Sequence, residues 1–388
     1  MNAPAKRQAP AVERTLRIGL VISSLSAGGS ERVASILATI WSEQGIEVTL
    51  LTAYPPETDF YRAPEAVRRL TWGHIDETQS RIRRIAAHVR RLARLRTAIR
   101  QARPDILISF GAATNVMTLV SRTGLRVPVI VSERTDPRVA PCNWLTRRSR
   151  PWLYRFASHI VVQSQAVGKW ARRAIPGGAV RVIPNPLLPL SPPRERSRLR
   201  RIVGVGRLVP EKGFELLIQA FARCIAGHRD WKLAIFGEGP EREALQSLAA
   251  RLGIAGSVQF GGLVRETAAE LASSEIFALS SKFEGFPNVL LEAMSCGTPV
   301  VSFDCPSGPS EIVRDGFDGL IVPPGDVNLL SAALARLMSD GALRTQLGNN
   351  ARTSVERYSA DKISAMWSGL FSEIVPSHSL GPQSLGMR

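Results

Sequence analysis

Cysteine is scarce in this 388-residue chain, and the little there is forms no motif. Cys142, Cys224, Cys296 and Cys305 make no C-x-x-C pair and have no histidines nearby at ligand spacing. That excludes a disulfide-stapled scaffold and a zinc module, and it reads as core or near-core thiols in a reducing compartment. Long apolar runs are missing as well. No stretch reaches eighteen apolar residues, and the first fourteen residues are polar and mixed in charge. Neither a spanning helix nor a signal peptide is expected, so the cytoplasm is the expected compartment. The glycine loops lack the G-x-G-x-x-G pattern of dinucleotide binders and the lysine of a Walker loop. No D-x-D motif follows a suitable strand, and no histidine–carboxylate cluster suggests a metal.

What is present is size, apolar content and an uneven charge. A chain of this length exceeds the usual single core, so two domains are expected. Apolar residues make up 44% of it, enough for packed interiors. Residues 1–200 carry 33 Lys and Arg against 13 Asp and Glu, whereas residues 201–388 carry 17 against 20. One half is thus suited to something anionic: a membrane, a nucleic acid, or an acceptor carrying phosphates. The plainer reading is solubility combined with an arginine-rich coding bias.

Along the chain, residues 17–24 read as a buried strand that breaks at Ser26-Ala27-Gly28-Gly29. A helix over 30–44 and a strand over 47–52 complete a βαβ unit. Residues 53–76 read as a loop with a short strand. Residues 80–101 place Ile82, Ile85, Val89, Leu92 and Ile99 at helical spacing among eight arginines, which predicts one long basic amphipathic helix. Strands over 105–110 and 128–132 flank a helix over 115–122. A mixed aromatic and basic stretch over 143–155 precedes strands over 158–163 and 179–183. Residues 186–200, with four prolines and four arginines, mark a linker about which two halves can hinge. The pattern then restarts: strands over 202–205, 232–236, 258–260, 276–279, 300–303 and 319–322, with helices over 213–224, 241–252, 267–273, 287–296 and 328–338. This predicts an α/β protein of two parallel-sheet domains with a cleft between them. Ligands in such sheets sit beyond the carboxyl ends of the strands.

The most informative segment is Glu284-Gly285-Phe286-Pro287-Asn288 with Glu292 eight residues after Glu284. Pro287 opens a helix and leaves the N–H groups of Asn288, Val289 and Leu290 pointing back along its axis, an anion site. A carboxylate in the loop suits sugar hydroxyls, and one further along the helix suits ribose. A carboxylate merely favoured near a helix N-terminus is the plainer account of Glu292. Arg207 and Lys212 follow a strand end at Gly206. Two fixed cations suit a diphosphate leaving group, whose charge grows as a glycosidic bond breaks. Ordinary surface cations are the alternative. Gly237-Glu238-Gly239-Pro240 and Gly28-Gly29 permit close backbone approach but are weak signals alone.

These residues resemble the retaining glycosyltransferases of the GT4 type. The resemblance covers most of residues 17–370 and rests on GGSERV at 28–33, GRLVPEKGF at 206–214, GEGPERE at 237–243 and the long block at 281–313, with its E-x7-E pair at 284 and 292. SERTDPR at 132–138 and CPSGPSEI at 305–312 look like enzymes that lengthen polyprenyl-diphosphate-linked oligosaccharides or surface polysaccharide units, N-acetylgalactosaminyl transferases among them.

The resemblance implies a GT-B fold, two Rossmann-like domains facing across a cleft. An acceptor domain would span 15–190 and a nucleotide-sugar donor domain 198–353. A C-terminal helix over about 354–372 would cross back to the first domain. It implies catalytic roles for Glu284, Arg207 and Lys212, with Arg207 and Lys212 on the donor diphosphate and Glu284 on the transferred sugar. Donor contacts would extend to Glu292, Gly285, Phe286, Asn288, Val289 and Gly237. Gly28 and Gly29 would line the cleft from the acceptor domain.

Many members carry a histidine after the strand equivalent to 105–110. This chain has none among residues 109–115, so Asn115 or the Glu133-Arg134 pair is expected to position the acceptor. Arg90, Arg91 and Arg94 on the basic helix are expected to face lipid diphosphates.

The implied reaction takes a UDP-sugar, carrying GalNAc, GlcNAc or a hexose, with no bound metal and no tightly bound cofactor, and retains the anomeric configuration. The acceptor hydroxyl would enter on the leaving-group face and give its proton to the departing phosphate oxygen. Two hydrolase-like carboxylates flanking the sugar are not identifiable. The implied partners are a nucleotide sugar, a lipid-linked or glycan acceptor, and the anionic cytoplasmic face of the membrane, without nucleic acid. The basic helix can lie on that membrane, hold its arginines toward lipid diphosphates, or simply be solvated. Trp144, Trp152 and Tyr154, with their neighbouring arginines, can extend the same contact or pack as core. A nucleotide-sugar epimerase or phosphorylase of the same fold and a basic nucleic-acid-binding protein are the rival readings. No nucleic-acid-binding signature supports the latter, and no cofactor lysine site supports a phosphorylase.

Overall fold

The computed structural model of the chain describes residues 14–73, 81–139, 142–187, 198–264 and 267–376, with the side chains of 81–85 excepted. Most of the expected linker, and the side chains of Ile82 and Ile85, lie outside the described residues.

Seven strands form a first parallel sheet: β1 (Arg17–Ile22), β2 (Glu47–Thr52), β3 (Arg68–Thr71), β4 (Ile106–Phe110), β5 (Val129–Ser132), β6 (His159–Val162) and β7 (Val180–Val182). Their order is β3-β2-β1-β4-β5-β6-β7. The helices of this region are α1 (Gly29–Glu43), α2 (Arg81–Ala102), α3 (Ala112–Ser121), α4 (Trp144–Tyr154) and α5 (Gln165–Ala174). Six strands form a second sheet: β8 (Leu199–Val205), β9 (Lys232–Phe236), β10 (Val258–Gly262), β11 (Ser274–Leu279), β12 (Val300–Phe303) and β13 (Leu320–Val322), ordered β10-β9-β8-β11-β12-β13. Its helices are α6 (Phe214–Cys224), α7 (Arg242–Arg251), α8 (Thr267–Ala272), α9 (Asn288–Ser295), α10 (Pro309–Ile312), α11 (Val327–Ser339) and α12 (Gly341–Ser354). The last helix is α13 (Ala360–Ile374).

The second sheet is buried on both faces, and the alternation along its strands shows why. Ile202, Ile235, Ile276 and Val301 pack on one side with Leu217 and Phe221 of α6 and Leu334 of α11. Their neighbours Val203, Ala234, Phe277 and Val300 pack on the other with Leu290 and Met294 of α9. A strand turns successive side chains to opposite faces, so a run that is apolar at every position requires helices on both. Each such fully buried aliphatic contributes roughly 1.5–3 kcal/mol.

Both sheets reverse direction of strand order once. In the first the reversal lies at β1 and β4, in the second at β8 and β11. Loops leaving the carboxyl ends of those strands border the crevice where doubly wound sheets bind ligands. In the second sheet these are residues 206–213 and 280–287.

The chain divides into two compact units. One holds the described residues up to Phe110, Met117–Ile130 and those from Ser364 on; the other holds Gly111–Val116 and Val131–Ile363. Within the first unit, α13 returns to α1. Trp41 meets Trp367 edge-on at 5.6 Å and Phe371 at 5.4 Å, and Ser364 Oγ donates to Gln44 Oε1 at 2.9 Å.

Four helices escape the periodicity reading. α4 forms where only a mixed stretch is legible, because Asn143 accepts from the Leu145 amide and caps it. α5 is opened by Ser164, which accepts from Val167. α10 is a single short turn, and α12 is largely exposed, burying Leu347, Gly348 and Ala351 with Leu343 packed beside them. α3 begins three residues ahead of the expected helix at 115–122.

Candidate active site

The loops at the carboxyl ends of β8, β9 and β11 are locked together by backbone contacts. The Leu208 amide donates to the Glu238 carbonyl at 2.9 Å, the Glu241 amide to the Leu208 carbonyl at 3.1 Å, and the Lys282 amide to the Glu211 carbonyl at 2.8 Å. Glycine is required where these loops meet. Gly237 has φ 144° and a Cβ there would lie 1.8 Å from the Gly206 carbonyl oxygen; Gly213 has φ 60° and a Cβ there would lie 2.2 Å from the Ser280 carbonyl oxygen. Gly237, singled out in the sequence, and Gly213 therefore both serve close packing of loops.

This frame presents a charged corner. Lys212 Nζ donates to Glu284 Oε1 at 2.6 Å, and Ser281 Oγ donates to the same oxygen at 2.6 Å. Glu284 is 9% exposed, while the Lys212 side chain is 22% exposed and Arg207 is open to solvent. The Glu284 charge also helps hold the Cys305 thiol at about 12, an effect led by burial. Pro287 occupies the N-cap of α9 without a side-chain cap; the Leu290 amide, expected to be open, donates to the Pro287 carbonyl at 3.0 Å, so the positive end of the helix lies at Asn288 and Val289. Gly285 lies against the backbone of Arg134 and Thr135, where a Cβ would come within 2.5 Å of the Arg134 carbonyl oxygen. Phe286 is buried edge-on against Tyr358 at 5.7 Å. Val289 is half-buried. Glu292 is buried and accepts from Thr267 Oγ1.

A second set of polar groups ties the loop after β5 to these segments, all within one unit. Arg134 Nη2 donates to Asn185 Oδ1 at 2.6 Å, and Asn185 Nδ2 donates to Asn288 Oδ1 at 2.6 Å. Arg138 pairs with Asp136 at 2.6 Å and donates to Ser307 Oγ at 2.7 Å; Ser307 in turn donates to Asp136. Ser307 holds φ 73°, rare for a non-glycine residue. Burial works to raise the Asp136 carboxyl, but Arg138 and Ser307 hold it below its ordinary 3.8. The sequence places Asp136 and Ser307 in signature segments but shows no link across their 171-residue separation.

Two expected acceptor-side residues are interior. Asn115 and Glu133 are both 0% exposed. Asn115 Nδ2 donates to the Ser132 carbonyl at 3.1 Å and to Tyr154 Oη at 2.8 Å; Tyr154 donates to Glu133 Oε1 at 2.6 Å, and Arg150 pairs with that oxygen at 3.3 Å. Burial pushes the Glu133 carboxyl up, and burial with the adjacent Glu133 charge pushes the Tyr154 phenol well up.

In the other unit, Gly28 caps α1 in an extended conformation, and the Glu31 carboxylate folds back to within 2.3 Å of where a Gly28 Cβ would stand; Gly29 is the exposed first residue of the helix. Along α2, Leu95, Ala98 and Ile99 are buried, whereas Val89 is 61% exposed. Arg90 and Arg94 are exposed. Arg91 lies over the Trp72 ring at 4.7 Å, and burial lowers its pKa.

α4 exposes Trp144, Trp152 and, just past its end, Phe156, at 72%, 57% and 47%, among exposed Arg147, Arg148 and Arg155. Tyr154 does not share that face; its hydroxyl is spent on Glu133. Among the described residues no group of three His, Cys, Asp or Glu side chains is placed to hold a metal ion, and no helix is long and apolar enough to cross a membrane.

Two family models match the chain: "Glycosyl transferase 4-like domain" over residues 28–186 and "Glycosyl transferases group 1" over residues 192–354. An exopolysaccharide phosphotransferase of Streptomyces coelicolor is 39% identical over 219 residues, 56% of this chain but only 23% of that protein's length. A Campylobacter jejuni α-1,4-N-acetyl-D-galactosaminyltransferase, whose name specifies a diNAcBac-PP-undecaprenol-linked acceptor, is 25% identical over 366 residues, covering 92% of this chain and 99% of that one. Among solved structures, Anabaena HepE in complex with UDP and glucose superposes with a TM-score of 0.80 at 20% identity, covering 92% of this chain and all of that one.

Proposed function

The chain belongs to the GT4-type glycosyltransferases, and from that premise we propose that it transfers a sugar, with retention of configuration, from a UDP-sugar to a polyprenyl-diphosphate-linked glycan during surface polysaccharide or glycan assembly. The observation that carries this is the Lys212–Glu284 pair, 2.6 Å apart at the carboxyl end of β8 and β11, beside exposed Arg207 and the uncapped start of α9.

The chemistry follows from the charges. As the bond from the anomeric carbon to the diphosphate breaks, negative charge collects on the leaving oxygen. Arg207, Lys212 and the start of α9 supply positive charge for that oxygen, and donors already in place need little rearrangement when the charge forms. Glu284 orients the sugar from within the Lys212 contact and does not attack it. The acceptor oxygen bonds the anomeric carbon on the face the phosphate leaves, and the acceptor proton passes to the departing phosphate oxygen. Glu292, in the second turn of α9, takes the ribose hydroxyls. Arg134, held by Asn185 and touching the Gly285 backbone, positions the acceptor side.

The enzyme works at an anionic membrane surface. Three observations support this: the basic excess of residues 1–200, the exposed arginines of α2, and the Trp144–Trp152–Phe156 face of α4 with its arginines. Indole and guanidinium groups share an interface well, one seeking the headgroup boundary and the other the phosphates.

The test is a panel of UDP- and GDP-sugars incubated with polyprenyl-diphosphate glycans, with products read by mass and anomeric configuration by NMR. A mass gain of one sugar with a UDP donor and retained configuration is expected. An inverted product, or transfer only from GDP-sugars, removes the corresponding part of the reading.

A further inference from the structure

A groove of about 740 Å³ lies along one face of α5, and its lining does not include Arg207, Lys212 or Glu284. Ala166, Lys169, Trp170 and Arg173 line it from the helix, and Arg138 and Glu311 close it. Positions three and four apart on a helix share a face, which is why these side chains converge.

The groove carries a net positive charge. Lys169 and Arg173 are exposed, and Arg138 keeps 43% of its side chain accessible although its fork is held by Asp136 and Ser307. The carboxylate, Glu311, is committed: one oxygen accepts the Gln165 amide at 2.7 Å and the other the Ala166 amide at 2.8 Å. It faces the start of α5, and with Asp136 balancing Arg138 the exposed Lys169 and Arg173 leave the groove net positive. Trp170 supplies a half-buried flat surface, steadied by the Arg150 guanidinium 5.0 Å from its ring centroid. A cavity of this size encloses a ligand of one to two sugar rings.

We propose that this groove is a subsite for a phosphoryl-bearing sugar, with the sugar ring against Trp170 and its phosphate or diphosphate between Lys169, Arg173 and Arg138. Guanidinium and ammonium groups together give both the forked and the point-charge contacts that phosphates accept. The groove adjoins the reacting corner through a short path. Arg138 donates to Ser307 at 2.7 Å, and the next residue, Gly308, would place a Cβ 3.7 Å from Glu284 Cβ. An acceptor anchored by its anionic end in the groove would extend its glycan toward Glu284. This deepens the acceptor half of the proposed function and rests on that reading.

The experiment is calorimetry on the full chain saturated with UDP, so that the donor corner is already filled. Inorganic pyrophosphate and glucose 1-phosphate are titrated separately into the wild type, Lys169→Gln/Arg173→Gln and Trp170→Ala. Saturable binding to the UDP-loaded wild type is expected, weakened about tenfold or more by the double variant. Trp170→Ala should weaken glucose 1-phosphate while leaving pyrophosphate nearly unchanged. Tighter binding of pyrophosphate assigns the groove to a diphosphate-linked carrier, and tighter binding of glucose 1-phosphate to a phosphate-substituted glycan. If UDP abolishes all pyrophosphate binding, or the double variant binds as the wild type does, the subsite is overturned. Failure of the wild type to bind UDP at all would instead sink the donor reading, and is visible before the second titration begins.

Discussion

The two sheets carry polar groups at the carboxyl ends of their strands and use them in opposite ways. Beyond β4 and β5, Asn115, Glu133, Tyr154 and Arg150 bind one another in the interior, with every member no more than 5% exposed. Beyond β8 and β11, Lys212 keeps 22% of its side chain exposed while paired with the mostly buried Glu284, and Arg207 reaches solvent. The difference is that the buried network pairs its charges with one another inside the protein, leaving Glu133 Oε2 and Arg150 Nε without a hydrogen bond, and it is closed to solvent. A half-open pair can exchange one partner for a ligand. The same type of residue in the same topological place is thus closed off in one sheet and, on the proposed function, available for chemistry in the other.

That contrast can be broken by experiment. Glu133→Ala leaves the Arg150 guanidinium buried without its carboxylate, and urea unfolding should show a loss of about 3–5 kcal/mol. A variant that kept full stability but lost turnover would instead make Glu133 a chemical group. Arg207→Ala should do the reverse, cutting turnover by about 10²–10³-fold with an unchanged unfolding midpoint; near-normal turnover would strip the corner of its phosphate role. Asp136→Asn removes a charged acceptor shared by Arg138 and Ser307, at a cost of about 1.5–3 kcal/mol near neutral pH. Because the folded carboxyl lies below its ordinary 3.8, that contribution is present above pH 3.8 and is lost as pH falls through the lower folded value. The gap between wild type and variant should therefore narrow in acid, and a gap independent of pH would rule out the ion pair as its source.

Gly237→Ala forces a Cβ against the Gly206 carbonyl at an unfavourable φ, and should cost about 1–3 kcal/mol and loosen UDP binding with it. The smallest effect is expected from replacing Arg90, Arg91 and Arg94 together. Use of a lipid-diphosphate acceptor should weaken in a salt-dependent way while UDP affinity stays the same; equal activity on that acceptor would detach α2 from the substrate.

Much of the architecture was legible because it depends on local pattern. β2 coincides with the run read at 47–52, and α2 with the basic helix read at 80–101 to within a residue. Glu284 and Glu292 were singled out by the loop-and-helix pattern around Pro287 and by the E-x7-E pair that carries the family resemblance. α4 and α5 were missed although both are amphipathic: α4 carries Pro151 inside it, and the buried stripe of the ten-residue α5 is only Val167, Gly168 and Ala171, two of them small residues that announce little. Tyr154 looked like a partner of Trp144 and Trp152, and only the burial of its hydroxyl on Glu133 separates it from them.

The amino-acid sequence by itself determined two parallel α/β sheets, the glycine-bearing loops at their strand ends and the list of charged residues in those loops, because these follow from period, turn chemistry and composition. Tertiary structure alone decided which charges meet. Lys212 is 72 residues from Glu284 and Asp136 is 171 from Ser307, and chain spacing carries no record of pairings that form only when distant strand ends are brought side by side.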